Sequence, residues 1–181
     1  MKKIFFTAMI LLTLSSVASA APSTDVNLVR VSDLNPQAFI NRMGYGVIYE
    51  SLRKEGTLVA FMNLKPRPEF SDSQNFPGMN VWGTVFGEEG APLPDGEVRF
   101  FVDPDGYVFV VQFISVGDEK ISGMVLLMMM EALGLNEREV STLLNTFVPT
   151  AEVWCANTGR RIIRQVVDTE GKNVLFFGAA N

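Results

Sequence analysis

The stretch EVRFFVDPDGYVFVVQFISV, residues 97–116, decides the fold class. Two β-branched and aromatic runs flank Asp103-Pro104-Asp105-Gly106. Pro104 presets φ for the second position of a turn, and Gly106 accepts the positive φ that follows. The spacing predicts an antiparallel hairpin. In the first arm Val98, Phe100 and Val102 alternate with Arg99, Phe101 and Asp103, which gives one apolar face. The second arm, Tyr107 to Ile114, is apolar on both faces. Such a strand belongs in the middle of a sheet, covered on each side. A calcium loop would need more oxygen ligands at fixed spacing and a closing Glu, so the Asp residues are read as turn residues.

Downstream, GMVLLMMMEALGLN (123–136) leaves no polar stripe from Met124 to Met130. Ser122 and Asp118 are both candidate N-caps, and Gly134 ends the helix. A helix apolar all round is buried on most sides, and about a dozen residues are too few to cross a bilayer. Two readings stay open: a helix packed on the sheet under the next helix, or an adaptable Met-rich surface for a partner, with Met124 and Met128 as its binding residues. The next helix starts at Asn136 with a capping-box Glu139. Its stripe is Val140, Leu143, Leu144 and Phe147, and Pro149 stops it. The short link predicts an antiparallel pair.

Upstream, LNPQAFINRMGYG predicts a short helix capped by Asn35, with Pro36 in its first turn and Gly44 as a left-handed terminator. VIYESL and LVAFMNL read as strands joined by RKEG. KPRPEFSDSQNFPG is a long Pro-rich loop, a type of connection that is often functional. MNVWGTVF is a strand, and GEEGAPLPDG is a second loop.

The chain closes with three short strands, AEVWCA, RRIIRQVVD and NVLFFG. Arg160, Arg161 and Arg164 form the one basic cluster. Read structurally it is a solvated edge that discourages edge pairing; read functionally it is a carboxylate-binding patch. Cys155, the only cysteine, reads as a buried, inert thiol, with a nucleophile or an intermolecular disulfide as the alternatives.

Lys2 and Lys3, the apolar run Ile4 to Leu14 and Ala18-Ser19-Ala20 make the pattern of a secretory signal peptide over 1–20. Residues 21–34 are a lead-in, and 35–181 are expected to be a single α+β domain. Its architecture is an antiparallel β-sheet with a short N-terminal helix and a central pair of helices packed against it. Removing twenty of 181 residues leaves 161, and losing two Lys moves the net charge from −5 to −7. That balance argues against nucleic acid and against anionic membrane surfaces. The chain has no histidine, which removes the commonest general base and metal ligand.

FINRMGYGVIYESLRKEGTLVAFMNL and RFFVDPDGYVFVVQFISVGDEKISGMVLLMMMEAL together resemble the YbjN-like family of bacterial sensory-transduction regulators. The first has a short helix ending in Gly44-Tyr45, and the second an Asp-x-Gly turn, a strand and an Ile-Ser before a helix. The resemblance implies a fold similar to that of type III secretion chaperones and a non-enzymatic binding or regulatory role. It carries no catalytic residues across.

The expected function is therefore that of an exported, periplasmic or secreted, non-enzymatic module that binds another protein as a chaperone, adaptor or inhibitor. It would have no cofactor, no metal and no membrane anchor after signal cleavage. The alternatives are a small hydrolase or lyase drawing on Glu88, Glu89, Tyr45 and Asp72, or a carrier of an apolar ligand lined by the Met helix.

Overall fold

A computed structural model describes residues 27–71, 76–169 and 172–181. The signal-peptide reading of 1–20 and the candidate Asp72 lie outside these residues. The chain forms an α+β fold. Its elements are β1 Leu28–Val29, α1 Pro36–Gly44, α2 Val47–Lys54, β2 Val59–Pro66, β3 Asn80–Glu88, β4 Gly96–Val102 and β5 Val108–Ser115. Then come α3 Glu119–Ala132, α4 Glu137–Leu144, β6 Thr150–Cys155, β7 Arg160–Thr169 and β8 Lys172–Ala180. The sheet is antiparallel, in the order β2-β3-β4-β5-β8-β7-β6.

The expected hairpin is β4–β5, with Gly106 at φ 92°. Asp103 Oδ1 accepts hydrogen bonds from the N–H groups of Asp105 and Tyr107, both at 3.0 Å. β5 lies mid-sheet, as its two apolar faces predict: Val111 and Phe113 point to the helices, Val110 and Ile114 away, and all four are buried.

The lead-in is part of this sheet. β5 and β8 pair from Val111↔Phe177 to Ser115↔Asn173 and then diverge. The chain before α1 fills the fork. Leu28 and Val29 pair with Ala180 and Ala179 of β8, and Val31 and Ser32 donate to the carbonyls of Phe109 and Val108. Val31 is fully buried there.

Helix α3 carries the methionine run. Asp118 is its N-cap, accepting from the N–H groups of Lys120 and Ile121. Met128, Met129 and Met130 are all inaccessible to solvent. Three successive positions can be buried because the sheet lies on one side and α1 and α2 cover the other. Each buried Met contributes roughly 1.5–3 kcal/mol.

Four expectations about the helices change. Residues 47–54 are helix α2, not a strand. Ile48 and Leu52 meet the core at i and i+4, and Glu131 of α3 accepts from the N–H groups of Val47 and Ile48 at 2.9 and 3.2 Å. Gly44 stays within α1, which closes on Tyr45 at φ −114°. The cover over α3 is α1 and α2, while α4 packs chiefly on β6. The predicted capping box of Asn136 and Glu139 is present, and Glu139 also accepts from the N–H of Ala156, which ties α4 to the β6–β7 turn. Helix α4 ends at Leu144, so Phe147 leaves the stripe and is exposed.

Candidate functional site

The helices cover one face of the sheet, and the other face carries the candidate site. Paired residues on adjacent strands share a face, so this surface is built in rows. One row runs Val85–Glu97–Ile114–Val174. The next runs Gly83–Arg99–Gln112–Phe176, and a third Val81–Phe101–Val110. Phe70, Phe76 and Met79, from the loop between β2 and β3, fold over the third row, with the Phe76 and Phe101 rings 4.8 Å apart. Beside this cover lies a trough of ≈ 330 Å³ lined by Val85, Pro94, Glu97, Arg99, Gln112, Ile114, Val116 and Val174.

The trough has a charged wall on an apolar floor. The Glu97 carboxylate accepts from Arg99 Nη2 at 2.7 Å and lies 2.9 Å from Arg67 Nη2. Arg67 Nε stands 3.2 Å from Glu69, within ion-pair range but without hydrogen-bond alignment. The Arg99 guanidinium stacks over Phe70, 3.7 Å from the ring centroid, and its Nη1 reaches Gln112 Oε1 at 3.4 Å. Gly83 makes room for this cluster, because a Cβ there would stand 2.6 Å from Glu97 Oε1 and 3.0 Å from Arg67 Cγ. The Nε atoms of Arg67 and Arg99 are buried and have no hydrogen-bond partner among the described residues. A guanidinium presents five donors in a fixed fork. Those two Nε atoms are closed to solvent, so the polar groups that line the trough are the rest of the Arg99 guanidinium, the Glu97 carboxylate and the Gln112 amide, beside an apolar seat formed by Ile114, Val174 and Val116.

The residues singled out from the sequence lie elsewhere. Met124 and Met128 are in the core at 3 and 0 % exposure, so neither reaches a partner's surface. The reading of α3 as a partner-binding face is corrected to that of a buried helix. The arginines sit on β7, an interior strand between β8 and β6, so they do not guard an edge. Arg160 pairs with Asp33 at 2.9 Å, and Arg161 Nε lies 3.6 Å from Glu152. Arg164 is buried and donates to the carbonyls of Thr146 and Val148, both at 2.9 Å. Burial pushes its guanidinium below the ordinary arginine value. It is a clamp on the segment between α4 and β6. Glu88 ends β3, Glu89 stands in the turn after it, and Tyr45 is exposed at the α1–α2 link. Among the described residues, no three or more His, Cys, Asp or Glu gather as metal ligands. Cys155 is buried, with Sγ 3.2 Å from the Gly134 carbonyl oxygen.

Arg67, Glu97, Arg99 and Gln112 are not among the residues that the sequence singles out. Two of them carry a local signal: Arg99 and Gln112 are polar residues inside apolar strand runs, and the structure sets them directly opposite each other in register. A second charged cluster holds the lead-in. Arg30 pairs with Asp103 and Asp105 and lies over the Tyr107 ring. Burial alone would raise the Asp103 carboxyl, but hydrogen bonds from the Tyr107 N–H and Arg30, the Arg30 charge and the Asp105 N–H outweigh it, leaving its pKa below the ordinary value. No helix among the described residues is long and apolar enough to cross a membrane. No family model, no curated protein and no solved structure matches this chain.

Proposed function

We propose that this chain is an exported, non-enzymatic binding module and that the trough on the helix-free face of the sheet receives a segment of another protein. The observation that carries the reading is the Arg99 cluster. It is a pair of half-buried guanidiniums held by Glu97, with Arg99 lining the trough beside an apolar seat and away from the packed core. Charge-assisted donors in a partly desolvated site hold a carboxylate or carbonyl more strongly than exposed ones. An apolar side chain over Ile114 with an acceptor directed at Arg99 satisfies both halves of the surface. The cluster contributes donors for binding. The pattern of residues 1–20 supports periplasmic export, and residues 39–64 and 99–133 support membership of the YbjN-like family.

The test is affinity capture from a bacterial envelope extract, using wild type, Val116→Asp and Phe147→Ser. Val116 lines the trough, and Phe147 is exposed elsewhere; at 56 and 80 % exposure, both can change without breaking the core. A protein captured by wild type and Phe147→Ser but lost with Val116→Asp supports the reading. Equal capture by all three removes the trough from it, and turnover of a substrate that survives Arg99→Met and Val116→Asp removes the binding role.

A further inference from the structure

The two free edges of the sheet are built differently. β2 carries a register shift between Met62 and Lys65, a positive φ of 56° at Asn63, and Lys65 and Pro66 at its end. These features blunt an edge against pairing. β6, at the other end, reads Thr-Ala-Glu-Val-Trp-Cys with an unbroken register against β7 and has no Pro, Lys or Gly. Trp154, on this edge strand, is 58 % exposed.

The backbone polarity of β6 follows from one hydrogen bond. Val166 N–H donates to the Pro149 carbonyl, so Pro149 and Val166 form a hydrogen-bonded pair. Pairs alternate along an antiparallel ladder. Ala151, Val153 and Cys155 therefore direct their N–H and C=O groups at β7, while Thr150, Glu152 and Trp154 direct theirs outward. Among the described residues nothing bonds to these outward groups. The free row ends at Ala156, whose N–H is taken by Glu139.

We infer that the β6 edge joins two copies of this chain by antiparallel β6–β6 pairing about a twofold axis. A twofold pairing of a strand with itself is self-complementary, the form most homodimers take. One register uses every outward group: Glu152 opposite its counterpart, and Thr150 opposite the second copy's Trp154. It places two carboxylates across the axis, and each has its own Arg161 guanidinium 3.6 Å away to offset the repulsion. Trp154 then lies over the small Thr150 and is covered. The trough lies across β3, β4, β5 and β8, so this contact is independent of the partner-binding reading.

The test is sedimentation of the protein expressed from its full-length sequence and purified as the host processes it. Wild type is compared with Glu152→Pro and Trp154→Lys. Glu152→Pro removes an outward N–H without touching the β7 ladder, and Trp154→Lys adds the charge that blunts edges. The expected result is a wild-type dimer weakened at least about tenfold by either change, with circular dichroism unaltered. If Glu152→Pro unfolds, Trp154→Lys alone decides. A separate arm oxidises Glu152→Cys. Hydrogen-bonded partners stand about 5.5 Å apart at Cα, within disulfide reach, so a cross-linked dimer forms, whereas Glu89→Cys gives none. A wild-type monomer up to about 100 μM, or a dimer that survives Trp154→Lys in folded protein, overturns the inference. Neither result bears on capture through Val116.

Discussion

Gly46 begins helix α2 without a side chain to cap it, and Glu131 supplies the cap from α3. Both carboxylate oxygens accept from the first turn, the negative charge favours the positive end of the helix, and a Cβ at residue 46 would overlap that carboxylate. We expect Glu131→Ala to cost about 1–2 kcal/mol in urea unfolding. Gly46→Ala should cost a similar amount by displacing the same group, and the double variant should cost less than the sum. Asp103 sets a pH dependence. Its folded pKa lies below the unfolded one, so the unfolded state binds more protons between the two values and stability rises with pH there. Its contribution is complete above the ordinary carboxylate range and is lost as pH falls through the depressed value. Asp103→Asn should therefore lower the urea midpoint at pH 7 and flatten its fall towards pH 3. An acid limb as steep as that of wild type would refute this.

Among elements, those fixed by local chemistry were legible and those fixed by distant partners were not. The β4–β5 hairpin follows from Pro104, Gly106 and the alternation around them. α1 and α4 start where Asn35 and Asn136 place them. Residues 47–52 read as a strand because Val47, Ile48 and Tyr49 have strand propensity and Arg53–Gly56 supplies turn chemistry, whereas the deciding cap, Glu131, is 84 residues from Val47. Phe147 leaves the predicted stripe because Arg164 holds the carbonyls on either side of it, between α4 and β6. The trough was illegible as a site because its charged wall joins residues from three separated segments: Arg67 and Phe70, Glu97 and Arg99, and Gln112. The methionine helix left two readings open, and burial settles them. Met128→Leu conserves volume and should cost under about 1.5 kcal/mol, whereas Met128→Glu buries an unpaired charge and should unfold the protein. Circular dichroism and denaturant melts distinguish these outcomes; a folded, stable Met128→Glu protein would place the helix on a surface.

Across the whole molecule, the two faces of the sheet divide the work. One face and four helices bury the large apolar side chains, including Phe39, Phe86, Phe100 and Phe113. The other face is covered over its third row and left as a trough over the first two. The lead-in completes the middle of the sheet at the β5–β8 fork, so residues 28–34 belong to the packed unit, in front of the boundary at residue 35 that composition suggests. On the proposed reading, recognition belongs to the trough and stability to the methionine core. The most direct test is the affinity of the captured partner for Val116→Asp and for Met128→Leu, each against wild type. The expected result is a loss of at least about tenfold in the first with the unfolding midpoint unchanged, and unaltered affinity in the second. Full affinity in Val116→Asp, or a loss confined to a folded Met128→Leu, would contradict it.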